Sequence, residues 1–513
     1  MIKKISLLFL VLALTGGQWI GAQSTTISNV LNMKSAQQSG NILENDKIVG
    51  YYIFYFKEKK SKTISAYEVE LFDDNYNSVK SFEIERPKKS VMLQMAYNQE
   101  MFLLTFYNLK TGFEFITYNR EGDIQGTKKI DASEIDRKTL LRKGYGTFHA
   151  KGSTGFVRTW GNEIIGYNNN LEEEWTYEAE IIGKKGITTA GITSITDDYI
   201  IASAYKKKSL MTKKLDVDVL LIDAKSGDLI KTLEMGNLET GKKSVLRADY
   251  IEKSNMILIV GEYFKPGDDM LKDMSEGLFI QELDKSGKIS RTEMYSWEKD
   301  IDEFKNDQLS KEELAELKKR FSLMFHDVII GKNGHIYMIA EQFKKQVSAL
   351  GVAGKLLSGG DSQAAAFEIR IGNMVLLEFD DKYKMVDFKV VSKKKSSVML
   401  PSGAGLYGPA FLGYYVKGTG GFDYSFTSRD VENDIYDVVY TDLDRKGEEK
   451  GQKADRMLGV IRIAEGEIDA NRVAINTDAK HWWLRAAKPG YISIFEYSRK
   501  VKELTIRLEQ ISY

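Results

Sequence analysis

A recurring apolar segment constrains the fold of this chain more than any other feature of its sequence. Eight segments share a run of apolar and aromatic residues that ends, in most copies, at a lysine: "YYIFYFK", "FLLTFYN", "GFVRTWG", "YIIASAYK", "ILIVGEYFK", "IYMIAEQFK", "FLGYYVK" and "WWLRAAK". Successive copies lie about 45 to 80 residues apart, as in an irregular structural repeat with loop insertions. The chain is therefore expected to be built from copies of one unit.

Hairpins flank each copy. "VDVLLIDAKSGDLIKTLEM" from Val217 and "LFIQELDKSGKISRTEM" from Leu278 each contain an apolar strand, a turn and a second strand. The turns contain Gly, which accepts positive φ. Another strand and a short turn precede each copy, as in "FHDVIIGKNG" from Phe325. The unit therefore predicts four antiparallel strands, A to D, in which the recurring segment is strand B.

This unit resembles a blade of the β-propeller superfamily, and the resemblance covers nearly all of the sequence after the leader. It rests on period and hairpin pattern, because the WD, kelch and YWTD motifs of named subfamilies are missing. The resemblance implies an all-β fold of about eight four-stranded blades. Seven blades with a closing strand from "TTISNVLNM" at Thr25 is the alternative. Strand B would be covered on both faces, and the small residues Gly261, Ala340 and Ala202 would make room for the adjacent blade.

The N-terminus has the pattern of a secretory signal. Lys3 and Lys4 precede an apolar run, and small residues follow near Ala22. We expect a signal peptide over residues 1–22, a single propeller domain over 23–513, and a periplasmic or extracellular location. No later segment is long and apolar enough for a transmembrane helix.

Composition excludes several classes of function. Lys plus Arg and Asp plus Glu number 73 each, which leaves no net charge to attract nucleic acid. The chain has no cysteine, which excludes disulfides and thiolate chemistry. The glycines from Ser402 lack the Lys-Ser/Thr of a P-loop and a following helix, and no Gly-x-Ser-x-Gly sequence occurs. We expect no catalytic residue, metal or cofactor to be identifiable from sequence.

The long loops fall on one face. In a propeller the D-to-A and B-to-C connections emerge together, and these are the long ones here. "NDQLSKEELAELKKRF" predicts one helical insertion near 308–322. The Gly- and Ala-rich segment 345–369 emerges on the same face. Together they are expected to form a lid, with a packing ornament or an oligomer contact as alternatives.

Candidate ligand contacts lie where strand B reaches this face. They are Glu262 and Lys265 in the fifth unit and Glu341 and Lys344 in the sixth. The two carboxylates could serve as general acid and base or bind a cation, whereas a salt-bridged rim is the simpler interpretation.

Two histidines complete the candidate set. His149 and His326 each follow Phe on an inner strand and are expected to line the channel. Two histidines without a third ligand are weak evidence for zinc.

Three functions are consistent with these features. The first is an exported, non-enzymatic propeller that binds a protein, peptide or glycan on its elaborated face. The second is a hydrolase or lyase that uses Glu262 or Glu341 with a nearby His or Lys at the channel mouth. The third is an assembly component of the cell envelope.

Overall fold

Eight antiparallel sheets follow one another along the chain in a computed structural model, and each sheet is one blade of a β-propeller. The structure describes residues 24–31, 33, 39–44, 47–209, 215–237, 241–251, 253–270, 272–311, 314, 322–348, 367–401, 407–444 and 455–511. The expected signal peptide lies outside these residues. No helix in the described ranges is long and apolar enough to cross a membrane.

The first four blades are complete four-stranded units. Their strands are β2 Ser39–Glu44, β3 Lys47–Glu58, β4 Ile64–Asp73 and β5 Ser78–Pro87 in blade 1; β6 Val91–Tyr97, β7 Phe102–Asn108, β8 Gly112–Tyr118 and β9 Ile124–Ile130 in blade 2; β10 Thr147–Lys151, β11 Gly155–Trp160, β12 Glu163–Asn168 and β13 Glu173–Glu178 in blade 3; and β14 Ile187–Ile195, β15 Tyr199–Lys207, β16 Asp216–Asp223 and β17 Leu229–Glu234 in blade 4.

The last four blades carry the irregularities. Their strands are β18 Gly236–Asn237, β19 Gly241–Ile251, β20 Met256–Tyr263, β21 Gly277–Leu283 and β22 Ile289–Ser296 in blade 5; β23 Ser322–Ile330, β24 Ile336–Val347, β25 Phe367–Phe379, β26 Met385–Val391 and β27 Ser396–Met399 in blade 6; β28 Tyr424–Asp430, β29 Ile435–Asp444, β30 Asp455–Ala464 and β31 Glu467–Ala474 in blade 7; and β32 His481–Ala486, β33 Tyr491–Ser498, β34 Glu503–Gln510 and the N-terminal β1 Ser24–Ile27 in blade 8.

The N-terminal strand therefore closes the ring. β1 pairs antiparallel with β34, with Thr26 opposite Thr505 and Ile27 opposite Leu504. The backbone N–H of Val30 donates to the carbonyl of Lys502 at 2.9 Å, and the Tyr497 hydroxyl donates to the carbonyl of Val30 at 3.0 Å. The structure therefore has the eight blades of the main prediction and also the closing N-terminal strand that was predicted for a seven-bladed ring.

Apolar clusters between neighbouring blades hold the ring together. Along β20, Leu258 and Val260 pack in the cluster shared with blade 6, whereas Ile257 and Ile259 pack in the cluster shared with blade 4. Side chains alternate between the two faces of a strand, so both faces of this strand are buried. Each of the eight junctions between neighbouring blades has one such cluster.

Among the described residues, helical segments lie in three of the D-to-A connections. A 3₁₀ turn, Ala132–Glu134, and helix α1, Arg137–Lys143, precede blade 3. A π-helical turn, Trp297–Ile301, continues into α2, Asp302–Gln308, before blade 6, and α3, Pro409–Gly418, precedes blade 7. Helix α2 ends at Gln308, where the helical insertion expected near 308–322 would begin. Within that insertion the backbone N–H of Leu314 donates to the carbonyl of Ser310 at 3.0 Å, and most of its other residues lie outside the described ranges. Residues 315–321 and most of 345–369 lie outside the described ranges.

Two of the eight sequence copies were wrongly assigned to strand B. "FLGYYVK" lies in α3, where Pro409 at the first helical position favours a helix, and the corresponding strand of blade 7 is β29. "WWLRAAK" lies mostly on β32, the first strand of blade 8. The segment from Ser402 is therefore followed by a helix after all.

The structure gives a different reason for the small residue at Gly261 of strand B. A Cβ at Gly261 would lie 2.1 Å from the carbonyl oxygen of Ser244 and 2.7 Å from the Phe279 ring. Ser244 and Phe279 belong to the same blade. At this position glycine makes room for its own sheet rather than for the adjacent blade.

Ring closure gives a testable prediction. Ile27→Asp places a charge in the buried face of β1, where Ile27 is 6% exposed, and should lower the free energy of unfolding by several kcal/mol. Thr26→Asp is the matched control, because the adjacent Thr26 is exposed. Urea denaturation of both variants should show a large loss for the first and little change for the second. Equal midpoints would mean that β1 does not contribute to the stability of the ring.

Candidate functional site

A cavity of about 440 Å³ lies between blades 5 and 6 at the face that carries the helical connections. Its volume is within the range of about 300 to 1,000 Å³ that is usual for ligand pockets. Polar and apolar side chains from both blades, the π-helical turn and α2 line it: Glu262, Met274, Ser275, Trp297, Asp302, Lys305, Asn306, Leu314, Ser322, Leu323, Gln342 and Phe388. The cavity thus combines an aromatic surface with several hydrogen-bonding groups.

Glu262 is the buried acid of this cavity. It lies at the end of β20 and is 8% exposed. The Ser275 hydroxyl donates to its Oε1 at 2.6 Å, and the Tyr414 hydroxyl of α3 donates to its Oε2 at 3.5 Å. Burial raises the pKa of Glu262, and these hydrogen bonds and the charge of Lys417 offset the increase only in part. The carboxyl therefore keeps its proton to a higher pH than an ordinary glutamate.

The π-helical turn positions the aromatic wall. Ser296 caps this turn by accepting from the backbone N–H of Lys299 at 3.2 Å. The indole N–H of Trp297 donates to the Ser275 hydroxyl at 3.1 Å, and its ring stacks on Phe325 with 6.2 Å between centroids. Trp297 is thus held by contacts on two sides. The other carboxylate in the lining, Asp302, pairs with Lys305 one turn further along α2.

Glu341 occupies the equivalent position in blade 6 but has a different environment. Its side chain is completely buried, with Oε1 2.8 Å from the Lys393 ammonium and Oε2 3.3 Å from His326 Nε2. The backbone N–H of Tyr424 donates to Oε2 at 3.2 Å. Burial raises the pKa of Glu341, but His326 and Lys393 outweigh it, so the net shift is downward. Glu341 is an ion-paired carboxylate whose side chain is closed off from solvent.

The charges around Lys393 form a closed network. Lys393 is also buried and pairs with Asp423, whose Oδ2 accepts from the Ser396 hydroxyl at 2.7 Å. Burial lowers the pKa of Lys393, but its two carboxylate partners raise it more, whereas burial raises the pKa of Asp423. Lys393 therefore remains charged between two acids.

The two histidines are separated in the fold. The His326 side chain is 3% exposed and stacks on Tyr424, with 4.7 Å between ring centroids. Burial lowers its pKa, which favours neutral imidazole at neutral pH. His149 is half-buried on β10 of blade 3, and burial lowers its pKa too. The structure therefore brings His326 to Glu341 and encloses it, rather than leaving it open to the channel.

The two lysines that were expected to contact a ligand have different neighbours. Lys265 is exposed and pairs with Glu276 at 2.7 Å. Lys344 lies on β24 opposite Arg370 of β25. Of the four residues predicted to lie at the rim, Glu262 alone lines the cavity.

Helix α3 supplies groups that the sequence analysis missed. Besides Tyr414, it contributes Lys417, whose ammonium donates to the carbonyl of Phe325 at 2.6 Å. Burial lowers the pKa of Lys417. The Gly408-Pro409 pair was the sequence signal that a helix begins here. In the described part of the chain, no group of three or more His, Asp or Glu side chains could hold a metal ion.

The Glu341 network gives a second prediction. Glu341→Gln should destabilise the protein by about 3–5 kcal/mol, because it leaves the buried Lys393 without one of its two charged partners. Glu378→Gln, on the neighbouring strand β25, is the control for removing a buried glutamate, since its partner His335 is half-buried. Chemical denaturation at pH 7 measures both. A loss below about 1 kcal/mol for Glu341→Gln would show that the ion pair is not needed for stability.

The chain matches one family model over nearly its whole length. A family model described as "Family of unknown function (DUF6770)" matches residues 1–512. A search of curated proteins found no match.

Several solved structures are similar to the chain. A protein of unknown function from Bacteroides caccae is 12% identical, over 66% of this chain and 93% of that one, with a TM-score of 0.25. The α-L-arabinofuranosidase of Fusarium graminearum in complex with arabinobiose is 9% identical, over 72% and 94%, with a TM-score of 0.29. The Nup133 β-propeller domain of Vanderwaltozyma polyspora is 9% identical, over 95% and 97%, with a TM-score of 0.34. Likenesses at this level support no statement about function.

Proposed function

The chain belongs to this family of unknown function, and we propose from the geometry of its site that it is a non-enzymatic propeller that binds a glycan. The binding site is the cavity between blades 5 and 6. The observation that carries the proposal is the combination, in one cavity, of the Trp297 side chain with the hydrogen-bonding groups of Glu262, Asn306 and Gln342.

The chemistry of this lining suits a sugar. Sugars present hydroxyl groups at their edges and C–H groups on their faces, so they need both polar partners and an aromatic or apolar wall. Leu323 and Phe388 extend the apolar wall, and Ser322 adds a hydroxyl. Two features reduce the net charge of the lining: Asp302 pairs with Lys305, and burial raises the pKa of Glu262. A neutral sugar residue therefore fits better than a charged peptide segment.

Export belongs to the same proposal. A signal peptide cleaved after Ala22 would place the propeller in the periplasm or outside the cell. The whole of residues 23–513 would then act as one propeller domain that presents the cavity.

The test uses a panel of soluble neutral oligosaccharides and isothermal titration calorimetry. Glu262→Gln preserves the size of the side chain and its hydrogen bond with Ser275 but removes the titration. We expect wild-type affinity to be higher below the raised pKa of Glu262 and to fall as pH increases through it. The reason is that a bound ligand excludes the water that the ionised carboxylate needs.

Two further variants complete this test. Glu262→Gln should bind with nearly the same affinity from pH 5 to 8, while the Glu378→Gln control should retain the wild-type pH profile. Asn306→Ala, at the exposed edge of the cavity, should weaken binding about fivefold through loss of one hydrogen bond. Binding that is unaffected by both Glu262→Gln and Asn306→Ala would exclude this cavity as the site.

A hydrolase remains the second candidate, since burial raises the pKa of Glu262 as a general acid requires. Its action also requires a second group, and the other carboxylate of the lining, Asp302, is engaged with Lys305. Reducing-end assays on the oligosaccharides that bind distinguish the candidates. Turnover by the wild type that Glu262→Gln abolishes, with binding retained, would replace the binding proposal with the enzymatic one.

A further inference from the structure

A second, smaller cavity lies on the same face as the first, where blades 6, 7 and 8 meet. It encloses about 200 Å³. Its walls come from the β26–β27 connection, the residue before β28, the adjoining ends of β29 and β30, and β32: Lys394, Ser396, Asp423, Thr441, Asp442, Leu443, Arg456, Met457 and Trp482. It is separate from the first cavity, since the two share no lining residue.

The carboxylates of this cavity are already occupied by protein groups. Asp423 pairs with the buried Lys393 and accepts from Ser396. Asp442, whose side chain is completely buried, accepts from Arg472 Nη1 at 2.8 Å and from the backbone N–H groups of Lys394 at 2.8 Å and Leu443 at 2.7 Å. These acids therefore fix the walls, and little of their charge is available to a ligand.

The two cationic side chains of the cavity, Arg456 and Lys394, are exposed, unlike its carboxylates. The guanidinium of Arg456 lies over the indole ring of Trp482, 4.9 Å from its centroid, and the Arg456 side chain is exposed. The side chain of Lys394 is exposed at the same mouth, and its backbone is held by Asp442. Within the described residues, no carboxylate forms an ion pair with either of them.

The arrangement of Arg456 has a chemical consequence. A guanidinium held over an aromatic face by a cation–π contact can still use N–H groups that point away from the ring. Such N–H groups match the two oxygens of a carboxylate or sulfate group in a bidentate contact. Trp482 is itself packed against the core of blades 7 and 8, so the platform under Arg456 is rigid.

We propose that this second cavity binds the oxyanion of an acidic sugar residue, with Arg456 and Lys394 as its contacts. The hydroxyls of Ser396 and Thr441 lie in the same lining and keep acceptor lone pairs for sugar hydroxyls. The inference rests on the proposed glycan binding and extends it to acidic glycans, since both cavities lie on one face.

Binding of uronic acid oligosaccharides and of neutral oligosaccharides of equal length tests this assignment. The full mature chain should bind the acidic series more tightly, and the difference should shrink as salt is added. Arg456→Gln should weaken acidic binding about 10- to 100-fold, and Lys394→Gln about two- to fivefold. Arg499→Gln and Lys500→Gln, in an exposed turn of blade 8, should leave it unchanged.

A variant of Trp482 separates the effect of orienting Arg456 from the effect of its charge. Trp482→Leu keeps Arg456 but removes the aromatic face, so it should weaken acidic binding while neutral binding stays at the wild-type level. Trp482→Leu can also lower thermal stability. Arg456→Gln changes an exposed side chain, so its effect on acidic binding does not depend on such a loss.

Outcomes for the two cavities are distinguishable. If Glu262→Gln and Asn306→Ala leave all binding intact while Arg456→Gln removes the acidic preference, the first cavity is excluded and the second stands. Equal binding of acidic and neutral series, or acidic binding that survives Arg456→Gln, would overturn the proposal. Sulfate alone competing as well as the uronic series would assign the site to a free anion, and equal binding of oligoglutamate would assign it to an acidic peptide.

Discussion

Burial of both faces of each blade between its neighbours is the interaction on which the rest of the structure depends. An isolated four-stranded sheet would expose one or both apolar faces, and the ring covers them at every junction. At the last junction β1 pairs with β34, and its Ile27 joins the apolar cluster between blades 8 and 1. Without disulfides, stability rests on these contacts, on hydrogen bonds and on buried ion pairs, so pairing of β1 with β34 contributes to the stability of the fold.

Charged and polar side chains are buried near blades 5, 6 and 7 in two different environments. Glu341 and Lys393 are buried together, so their charges compensate one another. Glu262 is buried beside Ser275 and a cavity, and among the residues that the structure describes no cation forms an ion pair with it. The physical difference between the two glutamates at equivalent strand positions is thus an ammonium in direct contact with the carboxylate of Glu341, and it separates a structural role from a proposed binding role.

The period of the repeat predicted the fold well, and its failures have identifiable causes. Six copies of the apolar segment lie on the second strands of blades 1 to 6, because a continuous apolar run is what a strand buried on both faces requires. The seventh copy is a helix, since short apolar runs do not distinguish strands from helices and Pro409 decides the matter locally. The eighth copy is displaced by one strand, because blade 8 takes its fourth strand from the other end of the chain.

The sequence by itself determined the repeated antiparallel unit, the face that carries the long connections and the equivalent strand positions of Glu262 and Glu341, because these follow from local periodicity and turn chemistry. Only the tertiary structure decided what each glutamate meets. Tyr414 reaches Glu262 from 152 residues away, and Tyr424 reaches Glu341 from 83 residues away. Packing of distant segments sets solvent access and neighbouring charge, and these two quantities turn equivalent sequence positions into different chemical environments.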